Sequence, residues 1–205
     1  MAKETQYTIE IPDPKKFHLS IKKEGNLQFL YSINYLKNKF KNVHNTLLAE
    51  TRLEVGFTRV SECIIGREYG FQKLNFVKKL NRLYVLRKNW GSRCESDYLT
   101  YLPINSSMQW SIILNDNFTQ CIGSIQLENY RDSKSLDKLA NSEEQSLYPN
   151  ANLKISINPD LPEEIRLIIL ISSSLIFKHI IKEFTKDKRK LFEIGLLKSL
   201  ANPIN

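Results

Sequence analysis

The residues of this chain that could do chemistry are cations concentrated in residues 71–93. This stretch holds seven basic side chains and no acidic one: Lys73, Lys78, Lys79, Arg82, Arg87, Lys88 and Arg93. The chain has 30 basic and 22 acidic residues, so without these seven it would hold 23 against 22, and the net charge of +8 arises almost entirely here. Like charges on one predicted hairpin repel each other unless an anion relieves the repulsion, which predicts an anion-binding surface. A plain solvated strand surface is the alternative, since lysines on strands also deter aggregation.

An anionic membrane is the partner that we favour for these cations. Each basic residue close to such a surface contributes about 1 kcal/mol, so about half of the seven on one face would contribute roughly 3 to 4 kcal/mol, enough for reversible recruitment. Trp90 could rest at the headgroups, or be partly buried at a strand end. The basic residues 186–190 precede a stripe that would make a short helix amphipathic and add a second contact: Leu191, Phe192, Ile194, Leu196, Leu197 and Leu200.

Two other partner classes remain open from the sequence. Nucleic acid is the first, because four aromatic residues interleave with the cations and could stack bases: Phe71, Phe76, Tyr84 and Trp90. No pattern of a known RNA-binding module accompanies them, and strand aromatics usually face the core. The second is an intracellular adaptor that binds protein partners through the polar loop predicted at residues 128–152.

Enzyme chemistry finds no support in the residues, so the chain is predicted to be a non-catalytic binding module without cofactor or metal. The three histidines are far apart, and none lies in a recognised catalytic or zinc-binding motif: His18, His44 and His179. The spacing of the three cysteines is not that of a metal site, and we expect them to be reduced thiols: Cys63, Cys94 and Cys121.

The elements that must position the cations are mostly strands. Nine segments alternate apolar with polar residues or are rich in β-branched and aromatic ones: 17–22, 27–35, 47–55, 57–65, 71–78, 82–87, 97–102, 108–114 and 119–127. Hairpin turns are predicted at 24–26, 79–81 and 115–117, where Asn and Gly tolerate the left-handed backbone. A tenth strand, Leu153–Ile157, precedes the one long apolar segment.

That apolar segment predicts a helix from about Pro162 to Phe184. Asp160 and Glu163 have the spacing of a capping box, and Pro162 suits the first turn. Isoleucine, leucine and phenylalanine side chains then cover every side of the helix, so it must be surrounded. The uncharged run 167–177 is about half of the roughly 20 residues that a bilayer requires, which favours protein surroundings. Many sequential strands and one such helix predict a mainly β fold, with a barrel or strongly curved sheet around the helix.

The C-terminal third resembles the tubby C-terminal superfamily of tubby proteins, phospholipid scramblases and LURP-one-related proteins. The resemblance rests on residues 153–162 with the helix that follows, and on the hairpin 110–125 with its Ile122-Gly123 pair. It implies a closed antiparallel β-barrel of about twelve strands around a hydrophobic C-terminal helix. For the tubby branch it also implies phosphoinositide binding by basic residues of the barrel surface. Scramblases have a cysteine-rich segment and an acidic calcium-binding segment, and this chain has neither. A relation to scramblases stays open, but the residues give no support to calcium-driven scrambling.

The domain organisation and location follow from composition. A length of 205 residues with 41% hydrophobic residues predicts a single domain, 1–205, in which 128–152 is a polar excursion and 185–205 a C-terminal extension. The first residues contain no apolar leader and no myristoylation glycine. We therefore expect a cytoplasmic monomer, peripheral at membranes, with the nucleus as a second location.

Overall fold

Twelve strands and one long helix make up the described part of the chain. The computed structural model describes residues 4–13, 18–26, 29–34, 39–55, 60–66, 73–89, 95–104, 108–115, 119–128 and 151–181. The strands are β1 (Thr5–Asp13), β2 (His18–Lys23), β3 (Phe29–Asn34), β4 (Lys39–Asn42), β5 (Leu47–Val55), β6 (Val60–Gly66), β7 (Leu74–Lys78), β8 (Tyr84–Asn89), β9 (Glu95–Pro103), β10 (Gln109–Asn115), β11 (Thr119–Glu128) and β12 (Asn152–Ile157). The helix, α1, covers residues 163–181.

The strands form one closed antiparallel barrel. Each strand pairs with its neighbours in chain order, and β1 closes the barrel by pairing with both β2 and β12. The register brings buried residues side by side around the inner wall, as in one row formed by Ile21, Ile9, Leu153 and Leu127. Since side chains of a strand alternate between its two faces, this row directs one apolar set to the interior. The predicted mainly β fold, a closed barrel of twelve strands around the C-terminal helix, is confirmed.

The middle of α1, residues 167–177, lies inside this wall and leaves no face to water. Every residue from Leu167 to Phe177 is at most 4% exposed, including the three serines 172–174. These apolar residues belong to the same core cluster as the inward side chains of the strands. No helix in the part of the chain that the structure describes is long and apolar enough to cross a bilayer. Protein therefore surrounds this segment, as its uniform apolarity predicts.

Two strands and the helix start differ from the sequence-based prediction. β1 and β4 were not predicted; β4 has four residues, of which only Phe40 is buried, so it is too short to show a period.

The amide of Arg166 donates to the carbonyl oxygen of Pro162, which makes Glu163 the first helical residue and displaces the predicted capping box. The side chain of Asn158 accepts the amide of Asp160 instead, at 3.0 Å. Of the predicted excursion 128–152, residue 128 belongs to β11 and residue 152 to β12, and residues 129–150 lie outside the described residues, as does the extension 185–205.

The Ile122-Gly123 pair lies where β11 and β12 approach closely. A Cβ atom at Gly123 would collide with the carbonyl oxygen of Ser156 and lie 3.0 Å from the Cα of Ile157. A register shift between Ile112 and Ile113 on β10 accompanies it, so that Ile113 faces Cys121. Glycine at 123 is therefore required by the strand separation.

The direction of the chain assigns each turn to one end of the barrel. Consecutive strands are antiparallel, so the β7–β8 turn and the β9–β10 turn lie at one end, here called the turn end. The β2–β3 turn, the β4–β5 turn and the β12–α1 connection lie at the other, here called the helix-entry end. α1 thus runs back from the helix-entry end towards the turn end.

Candidate functional site: the basic turn of the β7–β8 hairpin

The turn that joins β7 to β8 is short, and two backbone hydrogen bonds fix its conformation. The amide of Lys79 donates to the carbonyl oxygen of Leu83 at 2.7 Å. The amide of Leu83 in turn donates to the carbonyl oxygen of Leu80 at 3.3 Å. Asn81 and Arg82 adopt positive φ angles of 55° and 59°. This conformation projects Leu80 outward, and 88% of its surface is exposed. Among the described residues the other large apolar side chains that are exposed, Val43 and Leu102, each expose 46% of their surface, so Leu80 is the most exposed of them.

The turn is fixed to the core by an aromatic cluster. The indole of Trp110, which has no exposed surface, donates from Nε1 to the carbonyl oxygen of Arg82 at 2.8 Å. Its ring lies 6.2 Å from that of Tyr84, which stacks at 5.8 Å on Phe76. His179 of α1 completes the cluster with its ring 5.6 Å from Phe76. The exposed turn is therefore connected to the helix through packed rings.

Three of the seven predicted cations surround Leu80. Lys78 and Arg82 are exposed and Lys79 is partly exposed, and all three lie within two residues of the leucine. The guanidinium of Arg82 contacts the sulfur of Met108 at 3.0 Å, which links this turn to the β9–β10 turn. The turn end of the barrel therefore presents an apolar tip within a group of positive charges, here called the basic turn (Lys78–Arg82).

Asp97 of β9 compensates part of the charge of the hairpin. Its carboxylate accepts the Nε–H of Arg87 at 2.9 Å, and the Nζ of Lys79 lies 3.5 Å from its second oxygen. Arg87 lies directly opposite Asp97 in the β8–β9 register. Asp97 lies four residues beyond the 71–93 stretch, so the absence of acids within that stretch does not reveal this partner. Arg87 is thus part of an ion pair on the outer wall.

The remaining predicted cations lie away from the basic turn. Lys88 faces Leu74 in the β7–β8 register, near the helix-entry end, and its ammonium lies 5.5 Å from the ring centre of Tyr98. Lys73 is exposed next to the start of β7. Arg93 and Trp90 lie outside the described residues. The structure therefore brings Lys78, Lys79 and Arg82 together and separates them from Lys73 and Lys88.

Two of the aromatic residues considered for base stacking are part of the core. Phe76 is 4% exposed and Tyr84 is fully buried, and burial raises the pKa of the Tyr84 hydroxyl to about 12. Neither ring is available to a ligand on the surface. Phe71 and Trp90, the other two, lie outside the described residues.

The helix-entry end carries a different feature, a shallow cleft of about 170 Å³ between the β4–β5 turn and the start of α1. Val43, Leu48 and Leu167 provide apolar lining, and the exposed His44 and Glu163 provide polar groups. Within the described residues no group of three His, Cys, Asp or Glu side chains could hold a metal ion. The cleft therefore offers a small concave surface without a metal-binding set.

Leu80 is the residue that sequence reasoning missed. The sequence does contain a signal for it, because Leu80 is a single apolar residue in a predicted turn, between Lys78-Lys79 and Asn81-Arg82. Trp110 gives no such signal, since only the fold brings its indole to Arg82, 28 residues away. Comparison of the chain with family models, curated proteins and solved structures finds no match.

Proposed function

We propose that this protein is a non-catalytic module that binds anionic, phosphoinositide-type membranes through its basic turn. The observation that carries the proposal is the 88% exposure of Leu80 within the group of Lys78, Lys79 and Arg82. An apolar side chain that enters the acyl boundary while neighbouring cations contact headgroups is the arrangement of an interfacial anchor.

The magnitudes support reversible binding. Three cations near an anionic surface contribute about 3 kcal/mol together, and Lys79 contributes less than its share because Asp97 also attracts it. Full transfer of one leucine from water adds about 2 kcal/mol. The sum of about 5 kcal/mol corresponds to a dissociation constant of order 0.1 mM in accessible lipid, which suits recruitment that salt can reverse.

The rigidity of the turn adds to the proposal. Binding by a flexible loop would lose conformational entropy when the loop orders on the membrane. Two backbone hydrogen bonds within residues 79–83 hold the basic turn in one conformation before it meets a ligand. The hydrogen bond from Trp110 to Arg82 adds to this restraint. The basic turn therefore loses little conformational entropy when it binds.

Nucleic acid remains the second class of partner but has less support. Stacking needs exposed rings, and Phe76 and Tyr84 are buried. A leucine at the centre of the basic turn also suits lipid better than a phosphate backbone. The cations alone would still attract an oligonucleotide, so the test below includes one.

We also propose kinship with the tubby C-terminal superfamily. It is supported by the resemblance of residues 153–162 and the following helix, and by the twelve-stranded barrel around a helix that this resemblance implies. Phosphoinositide binding in the tubby branch agrees with the proposed role. The basic turn itself is inferred from this chain alone.

Vesicle sedimentation with a charge-matched control tests the proposal. Lys78→Gln with Arg82→Gln removes two charges at the turn end, and Lys23→Gln with Lys41→Gln removes two at the helix-entry end. Lys79 and Arg87 are left intact because both contact Asp97. We expect the first pair alone to weaken binding to phosphatidylcholine vesicles containing phosphatidylinositol bisphosphate, by about tenfold or more.

Three results would overturn it. Equal weakening by both pairs would show that only the net charge matters. Failure of the parent protein to bind the anionic vesicles would remove the function itself. Tighter binding to a single-stranded oligonucleotide than to the vesicles, lost in the first pair, would favour nucleic acid.

A further inference from the structure

We infer that the membrane contact of the basic turn extends to the adjacent connection between β9 and β10, where Leu102 and Met108 meet the same anionic bilayer. This inference rests on the proposed function and adds a second element to its surface. It also orients the barrel, because both connections lie at the turn end, so the helix-entry end points away from the lipid.

Leu102 projects from the outer wall of the barrel close to the turn end. Its neighbour Tyr101 is fully buried and its hydroxyl reaches a carbonyl oxygen of α1, so the alternation of side chains along β9 turns Leu102 outward. Among the described residues, three large apolar side chains are exposed: Leu80 by 88%, Leu102 by 46% and Val43 by 46%. Two of these three lie at the turn end, whereas Val43 lies in the β4–β5 turn at the helix-entry end.

The strand register places Leu102 next to the basic turn. Tyr84 faces Lys78 on β7 and Tyr101 on β9, so these three residues form one row across the strands. Lys79 follows Lys78, and Leu102 follows Tyr101, by one residue towards the turn end. Measured along the strands, Leu102 is therefore level with Lys79.

Met108 connects the basic turn to the end of β10. The guanidinium of Arg82 lies 3.0 Å from the sulfur of Met108, whose side chain is partly buried. The carbonyl oxygen of Met108 accepts the amide of Leu127 at 2.8 Å, and the amide of Ile104 donates to the carbonyl oxygen of Gln109 at 2.8 Å. These bonds hold the base of the β9–β10 connection in place. When Arg82 contacts a headgroup, Met108 therefore lies directly beside it.

The insertion depth of an interfacial anchor is enough to reach both connections. Apolar groups of such an anchor enter about 5 to 10 Å into the boundary between headgroups and acyl chains. Leu80 follows Lys79 by one residue, so no more than about 4 Å of chain separates its level from that of Leu102. Leu80 cannot enter the acyl boundary to this depth without bringing Leu102 into the headgroup layer.

Charge complementarity selects an anionic bilayer as the partner of this surface. Lys78, Lys79 and Arg82 lie among the exposed apolar side chains of the turn end. An anionic bilayer offers phosphates to the cations and acyl chains to the leucines at once. Leu102 and Met108 add apolar area without charge. Their contribution should therefore strengthen binding without making it more dependent on salt.

Leu102→Ser and Val43→Ser are a matched pair, because both side chains are 46% exposed and only Leu102 lies at the turn end. Sedimentation uses the full chain and phosphatidylcholine vesicles that contain phosphatidylinositol bisphosphate. We expect Leu102→Ser to weaken binding about fivefold, by the same factor at low and high salt, while Val43→Ser binds like the parent. Leu102→Phe keeps the apolar surface and should bind as tightly as the parent. Thermal denaturation verifies that each variant is folded.

Fluorescence gives a second measurement that does not depend on affinity. The added fluorescence of Leu102→Trp should shift to shorter wavelength with the anionic vesicles and be quenched by lipids brominated near the headgroup end of their acyl chains. Val43→Trp should show neither change. Soluble polyglutamate replaces the vesicles in a further arm, because an acidic protein is the other partner that cations could attract. A shift of Leu102→Trp with polyglutamate as large as with vesicles would overturn the inference.

The outcomes separate this inference from the proposed function. If Lys78→Gln with Arg82→Gln weakens binding while Leu102→Ser binds like the parent, the second contact is wrong and the basic turn stands. Equal weakening by Leu102→Ser and Val43→Ser would also overturn the inference. If Leu102→Ser alone weakens binding and the charge variant binds normally, the basic turn is the part that fails.

Discussion

The buried indole of Trp110 donates from Nε1 to the backbone carbonyl oxygen of Arg82 at 2.8 Å. This hydrogen bond joins a fully buried side chain to the turn that carries the most exposed large apolar residue of the described chain, Leu80. The conformation of the basic turn is therefore set from the core. A change in the core should therefore reach the basic turn through this contact.

Trp110→Phe tests this connection. Phenylalanine keeps an aromatic ring beside Tyr84 but loses the Nε1 donor and leaves unfilled space, so we expect the free energy of unfolding to fall by about 2 to 3 kcal/mol. Urea denaturation measures this loss. Amide exchange in residues 79–83 of the folded variant should also become faster. Leu80→Ser is the matched control: it alters the tip and should leave the stability within about 0.5 kcal/mol of the parent.

The two buried tyrosines Tyr84 and Tyr101 should respond differently to loss of the hydroxyl. The hydroxyl of Tyr101 lies 3.3 Å from the carbonyl oxygen of Ile169 and contacts the Ser172 hydroxyl, which ties β9 to α1. The hydroxyl of Tyr84 is buried without a hydrogen-bond partner among the residues described. Tyr101→Phe should therefore cost about 1 to 2 kcal/mol, and Tyr84→Phe should be neutral or stabilising. Equal losses in urea denaturation would contradict these assignments.

The same tyrosines predict a loss of stability in alkali. Burial raises the pKa of both hydroxyls from 10.0 to about 12. Between these values the unfolded chain releases protons that the folded protein retains, so the free energy of unfolding should fall as the pH rises from about 10 to about 12. Each tyrosine can account for roughly 2 to 3 kcal/mol of this fall. Urea denaturation at a series of pH values measures the slope, which should become shallower in Tyr84→Phe.

Gly123 and Gly25 should differ in their tolerance of a methyl group. Gly123→Ala places a Cβ against the carbonyl oxygen of Ser156, so β11 and β12 must separate and we expect a loss of about 3 kcal/mol or more. Gly25 has open space around it but a φ of 83°, so Gly25→Ala should cost only about 1 kcal/mol through strain. Gly25→Asn, which tolerates this φ, should cost less still. Thermal denaturation ranks the three variants, and the reverse order would contradict the close approach at Gly123.

The barrel and its helix could be predicted because both depend on local patterns. α1 is apolar on every side, and the turns at Gly25 and Asn81 use residues that tolerate positive φ, as the structure shows at 83° and 55°. Apolar and polar residues also alternate in β1, where Tyr7 and Ile9 are buried, but polar residues flank them and made this pattern weak. β4 is too short to carry a pattern.

The arrangement of the cations could not be predicted because it depends on register. A shift of one residue turns every side chain of a strand to the other face, and β9 has such an irregularity opposite Leu86 and Arg87. That register places Asp97 against Arg87, so the two side chains form an ion pair. Lys73 and Lys88 lie at the opposite end of the hairpin from the basic turn. This separation follows from the pairing of β7 with β8, which the sequence alone does not define.

The depth of Leu80 in the membrane is the most direct measurement of the proposed function. In Leu80→Trp the new indole replaces a side chain that is 88% exposed, so the folded barrel should be unaffected. The added fluorescence relative to the parent should shift to shorter wavelength with anionic vesicles and be quenched when their acyl chains carry bromine. Vesicles of phosphatidylcholine alone should produce neither change. If the variant binds anionic vesicles while its added fluorescence keeps the wavelength and intensity it has in water, the basic turn does not contact the membrane and the account is wrong.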